Sequence, residues 1–202
     1  FMTSYGSSAI VALLSLALAA LSLSTLLSAL GTSIANVALP TLAQALFQMP
    51  PALVFRGNSM ATLSLIFGCL AAGLAVDRFG VARSLLTGSL ALAGCTYALY
   101  WYLASGGGPH FVALYALAGF FCGVVGVVPA LMVAAFPPVI RFSGLSFSYN
   151  VAYAIFGGLT PPLIGYLSKA LGGLAPAHYV AFTCLVGMGV AMYLIARRPP
   201  SY

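Results

Sequence analysis

The chain has almost no negative charge. Its 202 residues include one acidic side chain, Asp77, and no glutamate, against seven Lys and Arg residues. Charged residues make up 4% of the sequence and hydrophobic residues 62%, whereas soluble domains are about 25% charged. This composition excludes an ordinary soluble domain and indicates a protein whose solvent is the lipid bilayer.

The sequence also lacks the patterns of several other classes of protein. Its basic residues are scattered between apolar runs, so membrane topology explains the positive charge better than nucleic-acid binding does. The four cysteines lie singly within apolar runs, which is typical of small packing residues. Because we find no nucleophile–base pair, phosphate-binding glycine loop or metal-ligand cluster, we predict no enzyme activity, no cofactor and no metal.

Long apolar runs dominate the chain. A bilayer core about 30 Å thick needs about 20 apolar residues of helix, and breakers and charges divide the sequence into six such runs. We therefore predict an all-α membrane protein with one six-helix transmembrane domain over residues 1–202. The stretch 35–58 either extends the first helix past Pro40 or lies at the interface. The predicted spans are about 9–34, 59–76, 84–103, 111–135, 143–167 and 179–196.

The distribution of basic residues predicts the orientation. Six spans place both termini on one side, and cytoplasmic segments are enriched in Lys and Arg. With the termini in the cytoplasm, His110 and His178 fall in outer segments, where we interpret them as solvated. The inner segments then hold Arg78, Arg83, Arg141, Arg197 and Arg198, and the outer segments hold Arg56 and Lys169.

The only carboxylate lies in the stretch GLAVDRFGVARSL, residues 73–85, between the second and third spans. One interpretation is local: Asp77 neutralises Arg78 or Arg83 at the headgroup level, and Gly80 lets the turn close. The other comes from a resemblance. Gly73, Asp77, Arg78 and Gly80 match the form Gly-x-x-x-Asp-Arg-x-Gly of the loop between the second and third helices of a major facilitator superfamily repeat.

The match at this loop is partial. Val81 and Ala82 stand where the superfamily has basic residues, and Arg83 follows them. The resemblance implies a gating loop made of Gly73, Asp77, Arg78, Gly80 and Arg83. In that superfamily the acid of the loop meets the start of the fifth helix of the opposite half.

A second stretch narrows the resemblance. Residues 136–167 resemble the fourth-to-fifth helix region in the C-terminal half of metabolite:proton symporters, a branch with proline/betaine and organic-acid carriers. This implies one half of a twelve-helix fold in a bacterial inner membrane. Residues 27–46 instead resemble the first helix of drug:proton antiporters, with Gly31 where those have Asp. The positions that match the symporters are Phe136, Pro137, Arg141, Phe142, Ser143, Gly144, Tyr149, Asn150, Gly157, Gly158, Leu159, Thr160 and Pro161.

Polar residues recur at helical spacing in the first and fifth spans. Such residues either hydrogen-bond to neighbouring helices or line a path through the membrane. We favour helix contacts for Ser and Thr, and the path for Asn150, whose amide hydrocarbon cannot satisfy. The candidate path residues are Thr32, Asn36, Tyr149, Asn150, Tyr153 and Thr160.

These observations leave several functions open. The first is a half-transporter that moves a zwitterionic osmolyte or organic acid by alternating access, with a second six-helix half, a homodimer or a larger membrane complex as partner. The alternatives are a structural or assembly subunit, an inactive fragment of a larger carrier, and efflux of lipophilic drugs. Because no acidic or basic residue falls within a predicted span, we expect any proton carrier to lie in the partner half.

Overall fold

The computed structural model describes residues 47–135, 138–152, 154 and 158–196. The first predicted span, 9–34, lies outside the described residues. Within them the chain is helical and contains no strand. The helices are α1 (Pro51–Phe79), α2 (Val81–Ala104), α3 (Phe111–Cys122), α4 (Val127–Ala135), α5 (Arg141–Ala152), α6 (Gly158–Leu171) and α7 (Ala175–Ala196).

Three described stretches are long and apolar enough to cross a membrane: Pro51–Phe79, Phe111–Leu131 and Gly158–Ala196. The second and third contain short 3₁₀ segments, Gly123–Gly126 between α3 and α4 and Gly172–Leu174 between α6 and α7. The described residues therefore form helices, three stretches of which are suited to a membrane, whereas six crossings remain a prediction.

The stretch Gly158–Ala196 turns back within its length. A straight helix would separate residues 19 positions apart by about 28 Å, at about 1.5 Å per residue. Yet the hydroxyl oxygens of Thr160 and Tyr179, which are 19 positions apart, lie 3.1 Å from each other. The reversal occurs where Gly172 adopts a φ of 74°, a conformation that favours glycine. We therefore treat α6 and α7 as two separate helices.

Small residues bring α1 and α3 into close contact. A Cβ atom at Gly119 would meet the carbonyl oxygen of Ala61, and one at Gly123 would meet the backbone of Gly68. Side chains larger than hydrogen at these two positions would push the helices apart. The small residues at these positions therefore allow the close packing of α1 against α3.

The predicted fourth span, 111–135, is not a uniform α-helix, and the predicted fifth span, 143–167, is described in two parts. The first is divided by the 3₁₀ segment Gly123–Gly126. The second corresponds to α5 and α6, and residues 153 and 155–157 between them lie outside the described residues. Pro161 and Pro162 are the fourth and fifth residues of α6, and neither carries an N–H that could donate to the preceding turn.

The cysteines pack inside the bundle, as predicted. All four are free thiols; Cys95, Cys122 and Cys184 are buried, and Cys69 is half-buried. In contrast, α1 presents large apolar side chains to its surroundings, with Phe67, Leu70 and Leu74 all more than 60% exposed. This outward face of α1 suits lipid or another apolar partner.

Candidate functional site

The loop motif forms a turn of a single residue. Gly80 alone separates α1 from α2, with φ 83° and ψ 159°. Its N–H donates to the Val76 carbonyl at 2.9 Å, and its carbonyl accepts from the Ser84 N–H at 3.1 Å. This backbone region is essentially restricted to glycine. The glycine of the motif is therefore what lets two long helices meet without a loop.

Asp77 lies in the last turn of α1 rather than in a loop. The C-terminal end of a helix carries about half a negative charge, which disfavours a carboxylate there by about 0.3–1 kcal/mol. Arg78 is favoured at the same end, and its guanidinium carbon lies 5.6 Å from the centroid of the Phe79 ring. The position of Asp77 is thus unfavourable for α1 itself, which points to a role outside this helix.

The local ion pair considered for Asp77 is absent. Asp77, Arg78 and Arg83 are all exposed. Within the part of the chain that the structure describes, Asp77 forms neither an ion pair nor a hydrogen bond. Its carboxylate therefore has free acceptor capacity for a group outside the described residues.

A complementary positive end occurs at the start of α5. This helix begins at Arg141, and the Gly144 N–H donates to the Ile140 carbonyl at 2.8 Å. The first N–H groups of any helix lack partners within it and carry about half a positive charge. Phe142 and Ser143 in this first turn are exposed. The chain thus carries both an exposed carboxylate and an exposed helix start, the two ends that the gating resemblance would bring together.

The candidate path residues separate into three groups. On α5, Tyr149 and Asn150 are exposed, and Asn150 Nδ2 donates to the Ser146 carbonyl at 2.8 Å. Thr160 is fully buried at the contact with Tyr179 of α7, which supports the helix-contact interpretation at this position. The remaining three, Thr32, Asn36 and Tyr153, lie outside the described residues.

The structure also shows a polar contact that the sequence did not predict. His178 lies in α7 rather than in a loop, and its Nδ1 is 2.6 Å from the hydroxyl oxygen of Tyr97 on α2. The two rings are tilted, with centroids 5.5 Å apart. One sequence signal could have placed His178 in a helix: Pro176, at the second position of α7, because proline is common in the first turn of a helix. No such signal indicated the contact with Tyr97.

A second polar contact joins α1 to α3. The Tyr115 hydroxyl donates to Asn58 Oδ1 at 3.1 Å. Tyr115 is 2% exposed, so this hydrogen bond lies in the packed interface between the two helices. It satisfies polar groups that hydrocarbon could not.

Comparison with known proteins identifies the class. The chain is 34% identical over 131 residues to the proline/betaine transporter of Escherichia coli (strain K12), which covers 63% of this chain and 26% of that protein. It is 30% identical over 131 residues to the glycine betaine/proline/ectoine/pipecolic acid transporter of Dickeya dadantii (strain 3937), with the same coverage. It is 26% identical over 143 residues to the citrate-proton symporter of Klebsiella pneumoniae, which covers 68% of this chain and 32% of that protein. No family model and no solved structure matches the chain.

The chain is therefore an integral membrane protein whose relatives are transporters and not enzymes. These relatives are metabolite:proton symporters of the major facilitator superfamily, so the resemblance drawn from the two sequence stretches is confirmed. The chain spans about a quarter of the length of the proline/betaine transporters that it matches, 26%.

Proposed function

We propose that the chain forms one six-helix half of a secondary transporter, which moves a small zwitterionic osmolyte or organic acid by alternating access. The observation that carries the proposal is the match to proline/betaine and citrate transporters over about two thirds of the chain, 63–68%. The single-residue turn at Gly80, which presents Asp77 at the end of α1, supports it.

The helices are compatible with six crossings. At about 1.5 Å per residue, the 24 residues of α2 extend over about 36 Å and the 22 residues of α7 over about 33 Å, enough to cross a hydrocarbon core about 30 Å thick. The 14 residues of α6 fall short of this length, so α5 and α6 together make one crossing. With α1, α3–α4 and the predicted span 9–34, six crossings result, with both termini in the cytoplasm of a bacterial cell.

A second half completes the proposed transporter. The halves of this superfamily are parallel repeats related by an axis along the membrane normal. The partner is a separate six-helix half, a second copy of this chain or part of a larger membrane complex. In that assembly, the Asp77 carboxylate would contact the start of α5 in the opposite half and stabilise one access state by about 0.3–2 kcal/mol.

The substrate path runs between the two halves. On this side it is lined by Tyr149 and Asn150, whose exposed positions on α5 suit contact with a polar substrate. Thr32, Asn36 and Tyr153 complete the proposed lining. The proton-carrying group lies in the partner half, since the one carboxylate of this chain is at the end of α1.

An alternative function is that of a structural or assembly subunit. The absence of acidic and basic residues from the predicted spans favours it, whereas Val81 and Ala82 in place of the basic residues of the loop favour an inactive fragment of a larger carrier. Lipophilic drug efflux is a second alternative, based on residues 27–46. Both alternatives predict that the chain supports no uptake of osmolytes or organic acids.

A chimaera tests the proposal. The segment of the Escherichia coli proline/betaine transporter that matches this chain is replaced by the 131 residues of the chain that match it. Uptake of labelled glycine betaine, proline and citrate is then measured in cells lacking their own carriers. We expect uptake of at least one of the three above the empty-vector level. Normal membrane abundance without any uptake would contradict the proposal, and export of a lipophilic dye in its place would favour drug efflux.

A further inference from the structure

One face of α2 carries a continuous stripe of exposed or partly exposed residues. Its members recur every three or four positions, which places them on one side of the helix. Elsewhere on the same helix, the polar residues Ser84, Ser89 and Thr96 are buried. The members of the stripe are Arg83, Thr87, Leu90, Gly94, Tyr97 and Trp101.

The chemical character of the stripe changes along its length. Arg83 places a cation in the first turn of α2, and Leu90, with 63% of its surface exposed, lies in an apolar middle part. A Cβ atom at Gly94 would meet no atom of the described residues within 4 Å. Tyr97 and Trp101, which are 37% and 68% exposed, lie towards the other end. Basic residues and amphipathic aromatic rings both favour the boundary between a bilayer and water, so the two ends of the stripe suit two such boundaries.

The length of the stripe matches the hydrocarbon core of a bilayer. Arg83 and Trp101 are 18 positions apart in the sequence, which corresponds to about 27 Å along a helix at about 1.5 Å per residue. The hydrocarbon core is about 30 Å thick. Leu90 lies 11 positions from Trp101, about 17 Å along the helix, and therefore falls near the midplane when Trp101 lies at one boundary.

The polar side chains within the stripe have partners in the protein. The Thr87 hydroxyl donates to the Arg83 carbonyl of its own helix at 3.0 Å. The Tyr97 hydroxyl oxygen lies 2.6 Å from His178 Nδ1 on α7. Polar groups that face hydrocarbon must be satisfied internally, because acyl chains offer neither donors nor acceptors. These two side chains meet that requirement.

We infer that lipid covers this stripe: Trp101 lies at the headgroups of one leaflet, Leu90 contacts acyl chains near the midplane, and Arg83 reaches the headgroups of the other leaflet. The inference rests on the crossing proposed for α2. It also restricts the position of a second half, because a face covered by lipid is not an interface between halves. A second half therefore binds to a different face of the bundle.

Trp101 is a built-in probe of this surface, because the chain contains one tryptophan. The full chain is reconstituted into phosphatidylcholine vesicles whose acyl chains carry bromine, which quenches tryptophan fluorescence on contact. One vesicle preparation has the bromine close to the headgroup and the other has it close to the bilayer midplane. We expect both lipids to lower the fluorescence of Trp101, with the greater loss from the bromine close to the headgroup.

Moving the tryptophan along the stripe gives the second arm of the test. Leu90→Trp combined with Trp101→Phe places the one indole at the proposed midplane, so the bromine near the midplane should now cause the greater loss. The wild type is the matched control, since it differs only in the depth of its indole. Gly94→Trp replaces Leu90→Trp should that variant misfold, as judged by circular dichroism, because the space around Gly94 is open.

Three results would overturn the inference. Neither brominated lipid quenches Trp101, which would mean that protein covers the stripe; Trp101 is quenched only by aqueous iodide; or the indole at position 90 is quenched no more by the deep bromine than Trp101 is. Uptake by the chimaera separates these failures from failure of the proposed function. Transport with Trp101 shielded from lipid would overturn the lipid-covered stripe alone, and quenching as expected without transport would contradict the proposed function alone.

Discussion

The hydroxyl oxygens of Thr160 on α6 and Tyr179 on α7 lie 3.1 Å apart, and this contact joins two helices whose connection is a short 3₁₀ segment. Thr160 is fully buried. Together with that segment, α6 and α7 form one apolar stretch of 39 residues, and the contact holds the two helices against each other. The contact thus joins the first turn of α6 to the beginning of α7.

Tyr179→Phe removes one hydroxyl from this contact. We expect the variant to fold and its free energy of unfolding to fall by about 0.5–1.5 kcal/mol, the net value of one hydrogen bond. Thermal unfolding in a mild detergent measures the change. Tyr166→Phe is the matched control, because Tyr166 lies on α6 with 72% of its surface exposed. An equal loss in both variants would mean that the contact contributes nothing.

Gly80→Ala tests the single-residue turn. A Cβ atom at φ 83° and ψ 159° is strained, so we expect a loss of about 1–3 kcal/mol in the free energy of unfolding. Gly73→Ala, on the exposed side of α1 with open space around its Cβ, should be neutral or slightly stabilising. If the two substitutions have the same effect on the unfolding midpoint, the turn does not require glycine.

Gly119→Ala tests the close approach of α1 and α3. The added Cβ would meet the carbonyl oxygen of Ala61, a backbone atom that cannot move aside without shifting the helix. Overpacking of this kind costs about 1–3 kcal/mol or more. Gly94→Ala on α2 is the control, because its Cβ meets no atom within 4 Å. A Gly119→Ala variant as stable as the control would contradict the packing described for this interface.

Cysteine labelling tests the proposed orientation. In a background that lacks the four native cysteines, a cysteine at Gly107, between α2 and α3, should react with an impermeant maleimide from outside the cell. One at Ser201 should react only after the membrane is permeabilised. The reverse pattern would show that the positive-inside count had predicted the wrong orientation.

The sequence predicts the boundary between two helices well where a long apolar run ends close to a glycine. The motif at residues 73–85 correctly places a turn at Gly80, because few residues other than glycine adopt its conformation. Sequence alone puts Asp77 in a loop, whereas the structure extends α1 to Phe79. Hydropathy ends the apolar run at Val76, but it does not indicate that the turn needs only one residue. The end of this helix was therefore predicted too early.

Contacts between distant helices were harder to predict. The contact between the Tyr97 hydroxyl and His178 Nδ1 joins residues 81 positions apart, and nothing near His178 in the sequence indicates its partner. Thr160 was a candidate for the substrate path because its spacing matched Asn150. Spacing gives the face of a helix and not what covers that face, and here Tyr179 covers it.

The measurement that tests the account most directly is the initial rate of substrate uptake by the chimaera, compared with that of its Asp77→Asn variant. We predict uptake by the chimaera, and a variant that reaches the membrane in equal amount but transports several-fold more slowly or faster. The reason is that, in the proposed transporter, a helix-end contact of about 0.3–2 kcal/mol would set the balance between the access states. Failure of Asp77→Asn to insert would make the carboxylate structural. A chimaera present at normal abundance and inactive, or a variant identical to it in rate, would contradict the account.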